Sequence, residues 1–201
     1  MKRSHFSISA GAILLGALLY SAADFAQLAA VLAPLIVHEL GHIITLRLFG
    51  LRITGFAADL RGFRIEYSGV CSAAGHAVSA FAGPAAGLAY AFAASYFGGV
   101  NGNEVLILSA GVSLLLSLFN LLPVLPLDGG RIFSCAASAL FGSRTGDRLT
   151  RSVGLLISSA LLAAGTFAMW RGLGAAPAIA AVWLLAAQPE RDVLVKRKEL
   201  L

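Results

Sequence analysis

The sequence has few charged residues, few cysteines and no long polar stretch. Only 12% of its 201 residues are Asp, Glu, Lys or Arg, whereas a soluble domain carries roughly 25%. The hydrophobic fraction is 58% and the mean hydropathy is +0.84. A chain with so little polar surface cannot cover itself with water-facing groups. This excludes an ordinary soluble domain and predicts an integral membrane protein.

The two cysteines, Cys71 and Cys135, lie far apart in the chain and form no C-x-x-C pair. We therefore expect free thiols without a metal or disulfide role. The aromatic residues lie in apolar runs and do not alternate with arginines in a polar segment. Nucleic acid is accordingly not an expected partner, and the net charge of +5 is better explained by membrane topology.

Long apolar runs are abundant. A spanning helix needs roughly 20 mostly apolar residues. This criterion predicts six spans, at residues 8–23, 25–46, 76–97, 104–118, 152–170 and 173–187. We interpret the first as a retained helix, because its apolar run is longer than that of a typical signal peptide. The predicted fold class is an all-α polytopic membrane protein.

Basic residues predict the orientation of these spans. With the six segments as boundaries, 14 of the 15 Lys and Arg residues fall on one side of the membrane, and only Arg171 falls on the other. The N- and C-termini are therefore both expected in the cytoplasm. Basic loops beside the cytoplasmic leaflet also predict contact with anionic lipid of the bilayer.

One connection between the predicted spans is long, at residues 50–75. Within it, residues 63–67 alternate apolar and charged side chains, and Gly62 and Gly69 flank them as turn residues. This pattern predicts a short β-hairpin-like or re-entrant segment at the membrane surface, after the second helix. We hypothesise that its strand binds an extended substrate by strand addition.

Ionisable residues inside the second span carry the chemistry. His38 and His42 are four residues apart, so on a helix they project from one face and can bind one zinc ion from the same side. Glu39 follows the first histidine, where its carboxylate can act on water at the metal. This is the H-E-x-x-H pattern of zinc peptidases. Ionisable residues in spanning helices are rare and usually functional, which argues against a chance match.

A catalytic zinc ion usually has three protein ligands, so two histidines leave the site incomplete. The candidates for the third ligand are Asp24, Asp59, Glu66, His76, Glu104, Asp128 and Asp147. Asp128 is favoured, because Pro123 and Pro126 cannot continue the fourth helix, and Gly129 and Gly130 permit close backbone approach. Non-helical backbone at this depth is tolerated only beside protein or a water-filled cavity, so we expect Asp128 at an internal polar site.

Other interpretations stay open for three of these features. His76 is a less favoured third ligand. Asp128 can also act as the N-cap of a helix over residues 129–140. Gly83-Pro84, in the third span, is either a tolerated kink in a small-residue packing face or a close approach that shapes a site between helices.

Taken together, the motifs of the chain resemble those of the site-2 protease family of intramembrane zinc metalloproteases. They are His38-Glu39-Leu-Gly-His42, Gly83-Pro84 and Asn120-x-x-Pro-x-x-Pro-Leu-Asp128-Gly-Gly. The layout looks closest to the sporulation-factor-processing branch, bacterial enzymes that process a membrane-tethered transcription-factor precursor. The family often has an asparagine shortly after Gly-Pro, where this chain has Gly87 or a neighbouring alanine.

The resemblance implies one zinc ion per chain, bound by His38, His42 and Asp128, with Glu39 as the catalytic carboxylate. It implies hydrolysis of a peptide bond in or near a transmembrane segment of a membrane-tethered substrate, as in regulated intramembrane proteolysis. The expected location is the bacterial cell membrane. The active site should lie toward the cytoplasmic half, because only about 13 Å of helix separates His38 from Arg47 at the cytoplasmic boundary.

The resemblance also implies one metalloprotease domain over residues 1–201. Its catalytic core of three helices is expected at about residues 25–140, and the extra helices at about residues 8–23, 152–170 and 173–187.

A substrate-binding role is implied for Asn120 and for the extended run that Asn120 opens, which includes Pro126. Asn120 either hydrogen-bonds the substrate or the developing oxyanion, or it is a buried amide that stabilises the unwound helix. The expected partners are a membrane-protein substrate, the lipid bilayer and an inhibitory membrane protein. The alternative functions are a membrane metal transporter or channel, which needs ligands strung across the bilayer, and a catalytically silent scaffold, which has little need of Glu39.

Overall fold

The computed structural model describes residues 5–8, 24–59, 62–69 and 71–188. The chain forms two compact units, Met1–Asn120 (unit 1) and Leu121–Leu201 (unit 2). The described residues contain six helices and three short strands. The predicted fold class, a largely helical protein with a small β segment after an early helix, is confirmed.

Unit 1 contains three helices that pack against one another. They are α1 (Phe25–Leu48), α2 (Ala73–Asn101) and α3 (Glu104–Asn120). Each covers a predicted span and extends beyond it by two to four residues at one or both ends. Asp24 starts α1 as its N-cap. Its carboxylate accepts a 2.7 Å hydrogen bond from the backbone N–H of Gln27, within a capping box.

The helices of unit 1 meet along faces of small residues. The small buried positions of α2 include Gly75, Ser79, Gly83, Gly87 and Ala91. At one crossing, Ser113 Oγ of α3 donates a 2.8 Å hydrogen bond to the Gly87 carbonyl, and a Cβ built at Gly87 would overlap Ser117 Oγ. Small residues let helix backbones approach closely in lipid. Large apolar side chains of α1 are exposed, among them Ile36, Leu40, Ile44 and Leu48.

A three-stranded sheet accompanies these helices, with the strand order β1-β2-β3. The strands are β1 (His5–Ile8), β2 (Arg52–Asp59) and β3 (Gly62–Ser68). β2 and β3 form an antiparallel hairpin in which Phe56 faces Ile65, so the predicted hairpin is confirmed. β1 pairs in parallel with β2, and no pattern in the sequence predicted this strand.

Unit 2 contains α4 (Asp128–Phe141), α5 (Ser143–Trp170) and α6 (Ala176–Ala187), with α5 packed against both of the others. α5 begins nine residues before residue 152, the start of the predicted span, because its first turns are polar and a search for apolar runs does not detect them. α6 begins three residues after the predicted start at 173, since Gly174, with φ at +97°, lies in the preceding turn.

By length and composition, α1, α2 and α5 can each cross a membrane, and α3 and α6 are shorter apolar helices. Five of the six predicted spans therefore correspond to apolar helices of the structure. The first predicted span, at residues 8–23, lies outside the described residues except for its first residue, which ends β1.

Candidate metal centre

Two imidazole rings meet on the buried face of α1. Every fourth residue from Ala30 to Leu46 is buried, and His38 and His42 belong to this stripe, with 3% and 7% of their surface exposed. Their Nε2 atoms lie 3.2 Å apart, with the ring planes at 81°. Two nitrogens bound at about 2.0–2.1 Å to a tetrahedral zinc ion are about 3.3 Å apart. The histidine pair therefore fits zinc.

The backbone of α2 orients His42. Its Nδ1 donates a 2.8 Å hydrogen bond to the carbonyl oxygen of Ser79. Because a carbonyl oxygen can only accept, Nδ1 carries the proton, and in the neutral ring Nε2 keeps its lone pair on the side of His38. Metal-binding histidines usually donate their second ring N–H in this way, which fixes both the tautomer and the ring orientation.

Gly83 of α2 leaves room for this ring. A Cβ built at Gly83 would overlap His42 Nε2 and lie 2.5 Å from Cε1. On the facing helix, a Cβ at Gly41 would lie 2.5 Å from the Ala82 carbonyl oxygen, so α1 and α2 are in backbone contact here. The segment at Gly83-Pro84 therefore packs through small residues, and its close approach shapes the surroundings of a histidine.

Thr45 supports the same contact from α1. Its Oγ1 lies 2.9 Å from the Gly41 carbonyl oxygen and 3.4 Å from Ser79 Oγ. The side chain therefore joins the two helices next to the Ser79 carbonyl that orients His42. Glu39 is half-buried and is rotated about 100° around the helix axis from its neighbour His38.

Asp128 is the first residue of α4, in unit 2, and is 5% exposed. The preceding residues 121–127 form a tight turn, in which the Leu127 N–H donates a 2.9 Å hydrogen bond to the Val124 carbonyl. A Cβ at Gly129 or Gly130 would overlap the backbone of this turn. Two successive glycines are therefore required for the turn to pack on the helix start that holds the aspartate.

The interpretation of Asp128 as a helix N-cap is wrong. The N-cap is Leu127, and Asp128 is already helical, because the turn before it brings Leu127 into the extended conformation that a cap requires. The Asp128 carboxylate instead has Arg131 beside it, with Nη1 of the guanidinium 3.4 Å from Oδ1.

The two residues predicted to bind substrate lie at either end of the interruption between α3 and α4. α3 ends at Asn120, before the two prolines, as predicted. Asn120 Nδ2 donates a 3.0 Å hydrogen bond to the Leu116 carbonyl of its own helix, which agrees with a role in stabilising the helix end. Pro126 is half-buried in the turn.

Several of the other candidate ligands make different contacts. Asp24 caps α1, and His76 Nδ1 lies 3.3 Å from the Tyr67 hydroxyl. Glu66 and Glu104 are exposed. Cys71 and Cys135 are free thiols.

Sequence reasoning did not find Ser79 or Thr45. Ser79 orients the histidine through its backbone carbonyl, which every residue type possesses, so its identity carries no signal. Thr45 lies about one turn after His42, and nothing in the sequence distinguishes it from an ordinary polar residue of a helix.

Comparison with known proteins gives matches of three kinds: to a family model, to curated proteins and to solved structures. Residues 101–165, which include Asp128, match the model of peptidase family M50. In two strains of Mycobacterium tuberculosis, a protein named "Putative zinc metalloprotease Rip3" is 36% identical over 138 residues, covering 61% of this chain and 33% of Rip3. The chain thus spans about a third of the length of the curated relatives it matches.

A solved structure also matches. The site-2 protease of Methanocaldococcus jannaschii superposes with a TM-score of 0.67 at 18% identity, covering 87% of this chain and 82% of that one. The fold and the apolar helices define an integral membrane protein with the site-2 protease architecture. Together the matches confirm the resemblance to the site-2 protease family, peptidase family M50, which the motifs of this chain had indicated.

Proposed function

We propose that the chain is an intramembrane zinc metalloprotease that hydrolyses a peptide bond in or near a transmembrane segment of a membrane-tethered protein. The observation that carries the proposal is the histidine pair of α1. The Nε2 atoms of His38 and His42 are 3.2 Å apart, and the hydrogen bond to Ser79 holds the proton of His42 on the opposite nitrogen. A pair arranged in this way can accept a metal ion without rearranging.

Asp128 is the proposed third ligand. The support is chemical: His38, His42 and Asp128 each offer one ligand atom and all three are buried. Two imidazoles and one carboxylate form a donor set typical of catalytic zinc, which keeps its fourth position open. Asp24 and His76, which were competing candidates, make other contacts.

His38, His42 and Asp128 would hold the zinc ion in the proposed site, and the bound ion would supply the Lewis acidity that activates water and polarises the scissile carbonyl. Glu39 accepts the proton of the attacking water and delivers it to the leaving amine. His42 stays in one orientation through its bond to Ser79. Asn120, which precedes the turn 121–127, and Pro126, within that turn, are proposed to contact the substrate backbone.

The hairpin is the proposed binding element for the unwound part of the substrate. In the described sheet β3 is an edge strand, and an edge strand offers backbone groups to an added strand. Ile65→Pro removes one N–H from β3 and should raise the KM for a tethered substrate. Ile65→Thr keeps a β-branched residue and should not. Equal KM values for the two variants would contradict the strand-addition role.

The proposed topology has both termini in the cytoplasm of a bacterial cell, with the active site toward that side. Thiol labelling in intact cells tests it, in a cysteine-free background. Ala175→Cys, in the turn beside Arg171, should react with a membrane-impermeant reagent, and Ser143→Cys should be protected. The opposite pattern would invert the topology. The bilayer and an inhibitory membrane protein are the further proposed partners.

Glu39→Gln tests the proposed activity. The purified variant in lipid vesicles should keep one zinc ion per chain and lose cleavage of a tethered single-span substrate, because an amide cannot accept the proton of the attacking water. Glu104→Gln, an exposed carboxylate at the start of α3, is the matched control and should cleave normally. Cleavage at the wild-type rate by Glu39→Gln would contradict the mechanism, and zinc flux across the vesicles would instead indicate a transporter.

A further inference from the structure

We propose that Arg131 is a positioning residue for Asp128 and holds its carboxylate in the orientation needed for zinc binding. The inference rests on the proposed function, in which Asp128 is the third ligand. Nη1 of Arg131 lies 3.4 Å from Oδ1 of Asp128, and the side chains are 54% and 7% exposed respectively. A surface guanidinium therefore reaches a buried carboxylate three residues earlier in the same helix.

Arg131 occupies a place where helix electrostatics disfavours a cation. α4 begins at Asp128, so Arg131 lies at the end of the first turn, near the unsatisfied N–H groups and their partial positive charge. A basic residue is stabilised in the last turn of a helix, yet the last turn of α4 contains none. The Asp128 carboxylate, 3.4 Å away, is a specific partner that offsets this unfavourable position.

The contact also suits the chemistry of a metal-binding carboxylate. A carboxylate has two oxygens with several acceptor sites, so the contact at Oδ1 restricts rotation of the group without occupying it completely. Ligating carboxylates are commonly hydrogen-bonded by a neighbouring group, and losing that group typically costs 10–100-fold in metal affinity or activity. Arg131 would orient the Asp128 carboxylate, as the Ser79 carbonyl orients the His42 ring.

The test is the zinc affinity of the full chain in detergent, measured by competition with a chelator. Arg131→Ala should weaken zinc binding about tenfold. Arg131→Lys keeps a cation that can reach the carboxylate, and it should restore most of the affinity. Arg148→Ala, which removes an exposed arginine of α5, is the matched control and should bind zinc as the wild type does.

A second readout separates positioning from a general contribution to folding. The melting temperature of zinc-free Arg131→Ala should equal that of the zinc-free wild type, because the guanidinium is largely exposed. The rise in melting temperature at a fixed zinc concentration should be smaller in the variant. A zinc-free melting temperature that falls while the zinc-induced rise stays unchanged would overturn the proposal.

Asp128→Asn distinguishes failure of this inference from failure of the proposed function. If Asp128→Asn binds zinc with wild-type affinity, Asp128 is not a ligand and both are wrong. If Asp128→Asn loses zinc while Arg131→Ala binds it normally, only the positioning role is wrong. Should Arg131→Ala fail to fold, Arg131→Gln decides, since wild-type zinc affinity without the charge contradicts the proposal and loss of affinity supports it.

Discussion

His42 donates a 2.8 Å hydrogen bond from Nδ1 to the backbone carbonyl of Ser79, one turn before Gly83 on the neighbouring helix. The same stretch of α2 thus fixes the direction of the ring and leaves space for it. This relationship explains why the Gly-Pro segment accompanies the histidine motif in one chain. At the proposed zinc site, binding would also depend on Ser79, which is not itself a proposed ligand.

Gly83→Ala should therefore lower the zinc affinity at least about tenfold, the scale seen when groups that support a ligand are lost. The added methyl group would overlap Nε2 of His42, so the ring must turn away from His38. Zinc affinity measured by chelator competition checks this. Gly99→Ala is the control, because Gly99 lies on the same helix and a Cβ built there meets nothing within 4 Å. Equal affinities in the two variants would contradict the role of Gly83.

Gly87→Ala should destabilise the contact between α2 and α3. Its Cβ would overlap Ser117 Oγ, and overpacking of this kind costs about 1–3 kcal/mol. The melting temperature in detergent should fall, and Ser117→Ala in the same chain should restore it by removing the overlapping oxygen. Gly111→Ala, where a Cβ meets nothing within 4 Å, should not lower it. Failure of Ser117→Ala to restore stability would refute this packing explanation.

Gly130→Ala should impair the start of α4. Its Cβ would overlap the backbone of Val124 and Leu125, which cannot move aside as a flexible side chain can. The turn 121–127 must then separate from the helix and displace Asp128. The bound zinc per chain, measured on the purified variant, should fall well below that of Gly111→Ala. Full occupancy would show that the turn does not control the aspartate.

Much of this fold could be predicted from residue patterns, because apolar length and turn residues are local signals. The hairpin and five apolar helices were found in this way, with shifted ends where polar residues continue a helix, as in the first turns of α5. β1 was not predicted. It has four residues and pairs with β2 about fifty residues later, and a contact between segments so distant leaves no mark on either one alone.

The candidate site divides along similar lines. His38, Glu39, His42 and Asp128 are chemically unusual in an apolar chain, so they are conspicuous in the sequence. Ser79 contributes a backbone carbonyl, which can orient His42 only because α2 crosses α1 beside that residue. From the sequence, Arg131 was only one of the basic residues that predict the orientation of the chain in the membrane. Its contact with Asp128 could not be predicted, because it depends on where α4 begins.

Removal and return of zinc tests the central claim most directly. The wild-type chain in vesicles with a tethered single-span substrate should yield one new N-terminus within or beside the span, identified by mass spectrometry. A chelator should abolish this cleavage, and stoichiometric zinc should restore it at the same bond. Cleavage that continues unchanged in the zinc-free protein would contradict the account.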